Sequence, residues 1–193
     1  MAATVKSLKQ FLEEQKDRWQ DWNIPYADGE ALYRLVTENN FKSVLEIGTS
    51  TGHSTIWLAY AMQQTGGKVT TIENNEDRYK KALKNFETAG VSHLIDARFG
   101  DALHVIKTLD KSFDFIFSDA TLISQPKDSY LLFFKATDPL LKAGGIYTMH
   151  NVTDGFGDNG TFMRFLEKMD NYETSIIQAS PAGISVSRKL TKI

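Results

Sequence analysis

The sequence predicts an α/β protein in which a parallel sheet is covered by helices on both faces. Short apolar runs rich in β-branched residues alternate with helical periodicities almost from end to end. An acid or polar cluster closes every predicted parallel strand. Near the C-terminus, residues 172–179 and 184–188 are separated only by Ser180-Pro-Ala-Gly, which reads as a hairpin.

Residues 4–22 place Leu8, Phe11, Leu12 and Trp19 on one stripe of an amphipathic helix. Pro25 interrupts, and Asp28 is placed to cap a second helix carrying Ala31, Leu32, Leu35 and Val36. Ser43-Val-Leu-Glu-Ile-Gly, an apolar run ending in glycine, is the first buried strand. Residues 53–64 form a mostly apolar helix through Ile56, Trp57, Ala59, Tyr60 and Ala61. Lys68-Val-Thr-Thr-Ile-Glu is a β-branched strand. Asn75 then opens a periodic helix (Tyr79, Ala82, Leu83, Phe86, Ala89) that stops at Gly90, where a helix-ending glycine is expected. A strand over 94–99, a helix over 102–109, the strand Phe113-Asp-Phe-Ile-Phe-Ser-Asp and a helix over 129–137 follow. The strand Gly145-Ile-Tyr-Thr-Met-His and a helix over 161–169 lead into the hairpin. No repeat or boundary divides the chain, so residues 1–193 are expected to form a single domain. Residues 1–24 are its helical extension and 25–193 its core.

Composition narrows the partners. Lys plus Arg is 22 against 24 for Asp plus Glu, a formal charge of −2, which argues against a nucleic-acid partner. With no cysteine, a disulfide scaffold, a thiolate metal site and a cysteine nucleophile are all excluded. No apolar run approaches the ~18–20 residues that span a bilayer. The N-terminus lacks the apolar stretch of a signal peptide, so the expectation is a cytoplasmic protein with no membrane partner.

In open parallel sheets, ligands bind beyond the carboxyl ends of the strands. Those ends carry Glu46-Ile-Gly48-Thr49-Ser50-Thr-Gly52-His-Ser54, then Glu73, Gly100-Asp101-Ala102, Ser118-Asp119 and His150-Asn151. Gly48 and Gly52 let the backbone turn tightly and approach a ligand. The following helix offers free N–H groups, with the Ser54 hydroxyl as a further donor to a carboxylate or phosphate. The two oxygens of Glu73 suit the paired hydroxyls of a ribose. A nicotinamide dinucleotide would also fit that pattern, but the loop lacks the third glycine of the dinucleotide fingerprint.

Leu45-Glu-Ile-Gly-Thr-Ser-Thr-Gly-His-Ser-Thr resembles the first motif of class I S-adenosylmethionine-dependent methyltransferases, and more narrowly the catechol and caffeoyl-CoA O-methyltransferase-like family. The likeness continues through Val69-Thr-Thr-Ile-Glu, Asn85-Phe-Glu-Thr-Ala-Gly, Gly100-Asp-Ala and Phe113-Asp-Phe-Ile-Phe-Ser-Asp-Ala. It ends with Pro139-Leu-Leu-Lys-Ala-Gly-Gly, His150-Asn-Val and Pro181-Ala-Gly-Ile-Ser-Val-Ser-Arg-Lys, so it spans roughly residues 25–190. The resemblance implies a Rossmann-like, doubly wound seven-stranded sheet, mostly parallel, with an antiparallel C-terminal strand. It implies S-adenosyl-L-methionine as cofactor and a small-molecule hydroxyl as methyl acceptor. Glu46 and the backbone of Gly48, Thr49, Ser50 and Gly52 are then expected to line the methionine portion, with Ser54 at its carboxylate. Glu73 is expected at the ribose, Asp101 and Ala102 at the adenine edge, and Asp119 beneath the sulfonium. Asp28-Gly29 resembles the family's N-terminal stretch that folds over the methionine end.

The catalytic half departs from the family pattern. The resemblance implies a divalent metal held by an aspartate in a D-A-D-K motif and by an Asp-Asn pair. Here the motif reads Asp119-Ala-Thr121-Leu122 and the pair reads His150-Asn151. Three readings stay open. A metal sits on Asp119, His150 and Asn151; or Lys127, carried in by an insertion, is the base; or His150 or Asp119 is the base without a metal. Two further functions also remain, a cofactor-binding protein without transferase activity and methylation of a tRNA nucleotide. Relatives of this kind are often dimers, and the aromatics of the N-terminal helix would suit such an interface. His53, His93 and His104 lack ligand spacing and are expected at the surface or in the core.

Overall fold

Residues 5–16, 23–122, 129–153 and 160–191 are described by the computed structural model. Trp19 and Lys127 lie outside the described residues. The elements in chain order are α1 (Val5–Gln15), α2 (Tyr26–Glu38), β1 (Ser43–Ile47), α3 (His53–Thr65), β2 (Lys68–Glu73), α4 (Glu76–Ala89) and β3 (Ile95–Phe99). They continue with α5 (Ala102–Ile106), β4 (Phe113–Ser118), α6 (Ser129–Thr137), β5 (Leu141–His150), α7 (Thr161–Leu166), β6 (Tyr172–Ile177) and β7 (Ile184–Lys189).

The seven strands form one sheet in the order β3-β2-β1-β4-β5-β7-β6. β1 to β5 run parallel, while β7 is antiparallel to both β5 and β6, the mixed seven-stranded arrangement expected from the sequence. The chain works outward from β1 to β3, then returns to the centre and builds the other half from β4. The connection therefore switches sides between β1 and β4, which opens a crevice at their carboxyl ends.

Alternation along the strands feeds two cores. Val44 of β1 and Phe115 and Phe117 of β4 pack with Leu32, Ile56, Trp57 and Phe86 of the helices on one face. Leu45, Ile47 and Ile116 point to the other face, against Ile106, Phe133, Phe134 and Phe162. Each fully buried aromatic or branched side chain contributes about 1.5–3 kcal/mol of transfer free energy. α1 joins the first core through Leu8 and Leu12, both sealed from solvent. No helix among the described residues is long and apolar enough to cross a membrane.

Asp28 does not cap α2. Pro25 precedes the helix, no side chain caps it, and Asp28 lies buried within the first turn, its carboxylate committed to residues far along the chain. His53, the first residue of α3, is a core residue. Its Nδ1–H donates to the Ile24 carbonyl at 3.0 Å and its Nε2 accepts the Trp57 indole N–H at 3.2 Å. Those partners suit a neutral ring, and burial pushes its pKa down to about 4. Glu46 lies on the same face of the sheet and is fully buried. Burial raises it to about 7, against hydrogen bonds from the hydroxyls of Ser54, Thr55 and Thr71, while the charge of Asp119 adds to the rise.

These two groups pull the pH dependence of stability in opposite directions. His53 binds its proton more weakly when folded, so its term makes stability rise with pH between 4 and 6.5. Glu46 binds its proton more tightly when folded, so its term makes stability fall as pH rises from 4.5 to 7. Glu46→Gln should therefore make the unfolding free energy climb more steeply with pH over the shared window than in the parent. His53→Gln should make it climb less. Each group contributes a slope of at most about 1.4 kcal/mol per pH unit, and urea unfolding at several pH values reads the difference.

Candidate functional site

Strand register brings the ends of the central strands to one edge. Ile47 lies beside Ile72 of β2 and Ser118 of β4, and Ser118 lies beside Met149 of β5. A cleft of about 780 Å³ opens there. Gly48 and Ser50, Glu73, Asp101 and Ala102, Asp119, and His150 with Asn151 all line it, each at or just beyond the carboxyl end of a parallel strand. Ile47 and Ile72 add apolar surface, and Leu122, Tyr130 and Phe133 add more.

Backbone geometry makes the first loop fit. Gly48 and Thr49 donate their N–H groups to the Ile72 carbonyl at 3.0 and 3.2 Å, and the Asp119 N–H donates to the Ile47 carbonyl at 2.9 Å. The loops after β1 and β4 consequently touch. Gly48 has φ +99°, and a Cβ there would lie 2.5 Å from the Asp119 carbonyl oxygen, so no side chain fits. The Glu73 carboxylate ties the loops after β1 and β2 together. One oxygen accepts the Ser50 N–H at 2.8 Å, and the other accepts those of Asn74 and Asn75 at 3.0 and 2.8 Å. Asp101 caps α5 by accepting the His104 N–H at 3.0 Å.

Four residues expected at the cofactor are not among those lining the cleft. Glu46 alternates to the face shared with Val44, where it accepts hydrogen bonds from Thr55 and Thr71, both at 2.5 Å. The Ser54 hydroxyl is hydrogen-bonded to Glu46. The Thr49 hydroxyl is buried 2.5 Å from that of Thr71. Gly52 is required for a different reason, because at φ +95° a Cβ would lie 2.4 Å from the Phe86 ring.

Sequence reasoning left Asp28 and Ser180 outside the catalytic group, and the structure brings both to its histidine. The His150 ring is 5% exposed and lies between two carboxylates. Its Nδ1 faces Asp119 Oδ1 at 3.3 Å and its Nε2 faces Asp28 Oδ2 at 2.9 Å. The Ser180 hydroxyl donates to the same Asp28 oxygen at 2.6 Å, and Ala182, two residues on, lines the cleft. Asn151, in the left-handed region at φ +61°, turns its amide N–H toward Asp119 at a long 3.4 Å. Burial alone would push the His150 ring down, but hydrogen bonds to Asp119 and Asp28, and then their charges, raise it to about 9. A carboxylate on each nitrogen is the arrangement that a doubly protonated ring satisfies.

This donor set does not fit a divalent cation at Asp119, His150 and Asn151. A metal needs a free imidazole lone pair, and here each ring nitrogen is directed at a carboxylate oxygen, Asp119 Oδ1 on one side and Asp28 Oδ2 on the other. Among the described residues no three His, Cys, Asp or Glu side chains are spaced to hold a metal ion. The same contacts occupy both ring nitrogens of His150.

A family model described as O-methyltransferase matches residues 2–159. The chain is 36% identical over 153 residues to a caffeoyl-CoA O-methyltransferase of Medicago sativa, covering 76% of this chain and 60% of that protein. It is 33% identical to caffeoyl-CoA O-methyltransferase 1 of Arabidopsis thaliana, over 76% of this chain and 57% of that one. The chain thus spans about 60% of the length of these curated relatives. Among solved structures, the O-methyltransferase TomG of Streptomyces achromogenes, in complex with SAM, superposes with a TM-score of 0.76 at 24% identity, covering 95% of this chain and 89% of that one. The O-methyltransferase of Bacillus cereus in complex with SAH gives 0.76 at 22%, covering 98% and 91%. At these identities the two structures speak for the fold.

The contact between the loops after β1 and β4 has a measurable consequence. Gly66 also has positive φ, at +77°, but a Cβ there would meet nothing within 4 Å. Gly66→Ala should therefore lower the unfolding free energy by only about 1–2 kcal/mol, the backbone term. Gly48→Ala adds collision with the Asp119 carbonyl and should lower it by at least about 3 kcal/mol, read by urea denaturation of the two variants side by side.

Proposed function

We propose, from the premise that this chain belongs to the O-methyltransferase family, that its cleft binds S-adenosylmethionine and transfers the methyl group to a small-molecule hydroxyl. The observation that carries this reading is the gathering of Glu73, Asp101, Asp119 and His150 around one cleft at the topological switch point. The residues suit the cofactor. Glu73, already an acceptor of three backbone N–H groups, has the two oxygens a ribose diol needs. Ile72 and Ala102 give apolar surface for an adenine, and the Asp119 carboxylate suits a cationic sulfur.

When bound, S-adenosylmethionine supplies an electrophilic methyl group on a sulfonium. Asp119, at the cleft surface, takes the proton released by the acceptor hydroxyl as the new carbon–oxygen bond forms. His150 holds Asp119 in place and, as a buried cation, favours the developing alkoxide or phenoxide. Leu122, Tyr130 and Phe133 offer an apolar wall for the acceptor, consistent with a hydroxyl carried on an uncharged ring or chain.

Isothermal titration calorimetry with S-adenosylhomocysteine tests the reading directly. Binding at ~10 µM is expected, and Glu73→Gln should weaken it about tenfold by removing a charged acceptor. Absence of binding at hundreds of micromolar would reject a methyltransferase. With a panel of phenols, catechols and aliphatic alcohols, Asp119→Ala should lower turnover by at least about 100-fold. Cofactor binding without turnover on any acceptor would leave a binding protein instead.

A further inference from the structure

Asp28 poses a problem that the strand-end residues do not. It comes from a helix, it is 0% exposed, and a carboxylate in such a place costs several kcal/mol unless its charge is met. Its partners among the described residues are the His150 Nε2–H and the Ser180 hydroxyl, both on Oδ2, and Oδ1 is buried without one. Its position is fixed from behind. The next residue is Gly29, where a Cβ would lie 2.1 Å from the Trp57 ring, so α2 is pressed onto α3 as closely as a glycine permits. Trp57 is in turn held by His53, which grips the Ile24 carbonyl just before α2. The Asp28 carboxylate is thus delivered to the far side of the His150 ring by a packed, hydrogen-bonded frame.

A ring with a carboxylate on each nitrogen supplies, within the chain, what a bound cation supplies from outside: positive charge at the acceptor end of the cleft, anchored by acids. We propose that His150, clamped between Asp28 and Asp119, is a built-in cation occupying a metal's place, and that Asp28 is its positioning residue. The proposal rests on the methyltransferase reading for its purpose, but its test does not. Asp119 and Asn151 remain in place when the ring is removed, so a carboxylate at position 150 would complete an all-oxygen site of the kind that hard divalent cations prefer.

The experiment has two readouts, neither needing an acceptor. Mn²⁺ binding is followed by the loss of the free-ion EPR signal. The parent protein should bind no stoichiometric Mn²⁺, and His150→Asp should gain a site. Nitrogen-15 NMR of the histidine rings at neutral pH should find both nitrogens of His150 protonated in the parent. Asp28→Asn should convert the ring to a neutral tautomer. Ser180→Ala, which spares the carboxylate, should leave the ring charged and serves if Asp28→Asn folds poorly. Stoichiometric Mn²⁺ on the parent that His150→Ala abolishes, a neutral His150 in the parent, or no Mn²⁺ site in His150→Asp would each overturn the proposal. Failure of S-adenosylhomocysteine to bind while these results hold would instead strike the methyltransferase reading alone.

Discussion

A carboxylate taken out of water must be met by hydrogen bonds or by opposite charge, and this requirement organises the carboxyl edge of the sheet. Glu73 is met by three backbone N–H groups, which fastens the loop after β1 to the loop after β2. Glu46 is met by threonines of α3 and β2, and as neither supplies charge, its carboxyl shifts toward the neutral form. Asp28 is met by an imidazolium and a serine. Each solution joins segments distant in sequence, so the acids that give the cleft its electrostatic character also fix the loops around it.

The sheet was legible in the sequence because its signals are local. A strand such as Ser43-Val-Leu-Glu-Ile ends in Gly48, whose positive φ permits the sharp turn, and Asn75 and Gly90 bracket α4 as a capping residue and a left-handed terminator should. Strand-end residues were legible for the same reason: once the strands are parallel, their carboxyl ends must share an edge. The side to which each residue points was a harder matter. Period-two alternation sets Glu46 with Val44, away from Leu45 and Ile47, and that parity was available in the sequence. Motif likeness placed the residue in the cleft; the pleat turned its side chain behind it.

Asp28 had no such local signal, and only the likeness of Asp28-Gly29 to a stretch that folds over the methionine end set it near the cleft. An aspartate soon after a proline and before an amphipathic run has the local appearance of a cap, and its actual partners lie 122 and 152 residues further on. Nothing within a helical turn distinguishes a carboxylate that serves its own helix from one that crosses the molecule. The fold alone brings α2 over the end of β5. The residue that reports this closeness is Gly29, because a neighbouring tryptophan ring fills the space where its Cβ would be.

His53 and His150 show how surroundings, more than residue type, set the chemistry here. Both rings are almost fully buried, and desolvation alone would leave both neutral. His53 meets a carbonyl oxygen on one nitrogen and an indole N–H on the other, a pairing that only the neutral tautomer satisfies. His150 meets an acid on each nitrogen, a pairing that favours the doubly protonated ring. The neutral ring lies outside the cleft and steadies Ile24 and Trp57 behind α2. The charged ring lies where the sheet already concentrates acids. The frame that His53 helps to hold is the one that carries Asp28 to His150, so the uncharged histidine helps keep the other one charged.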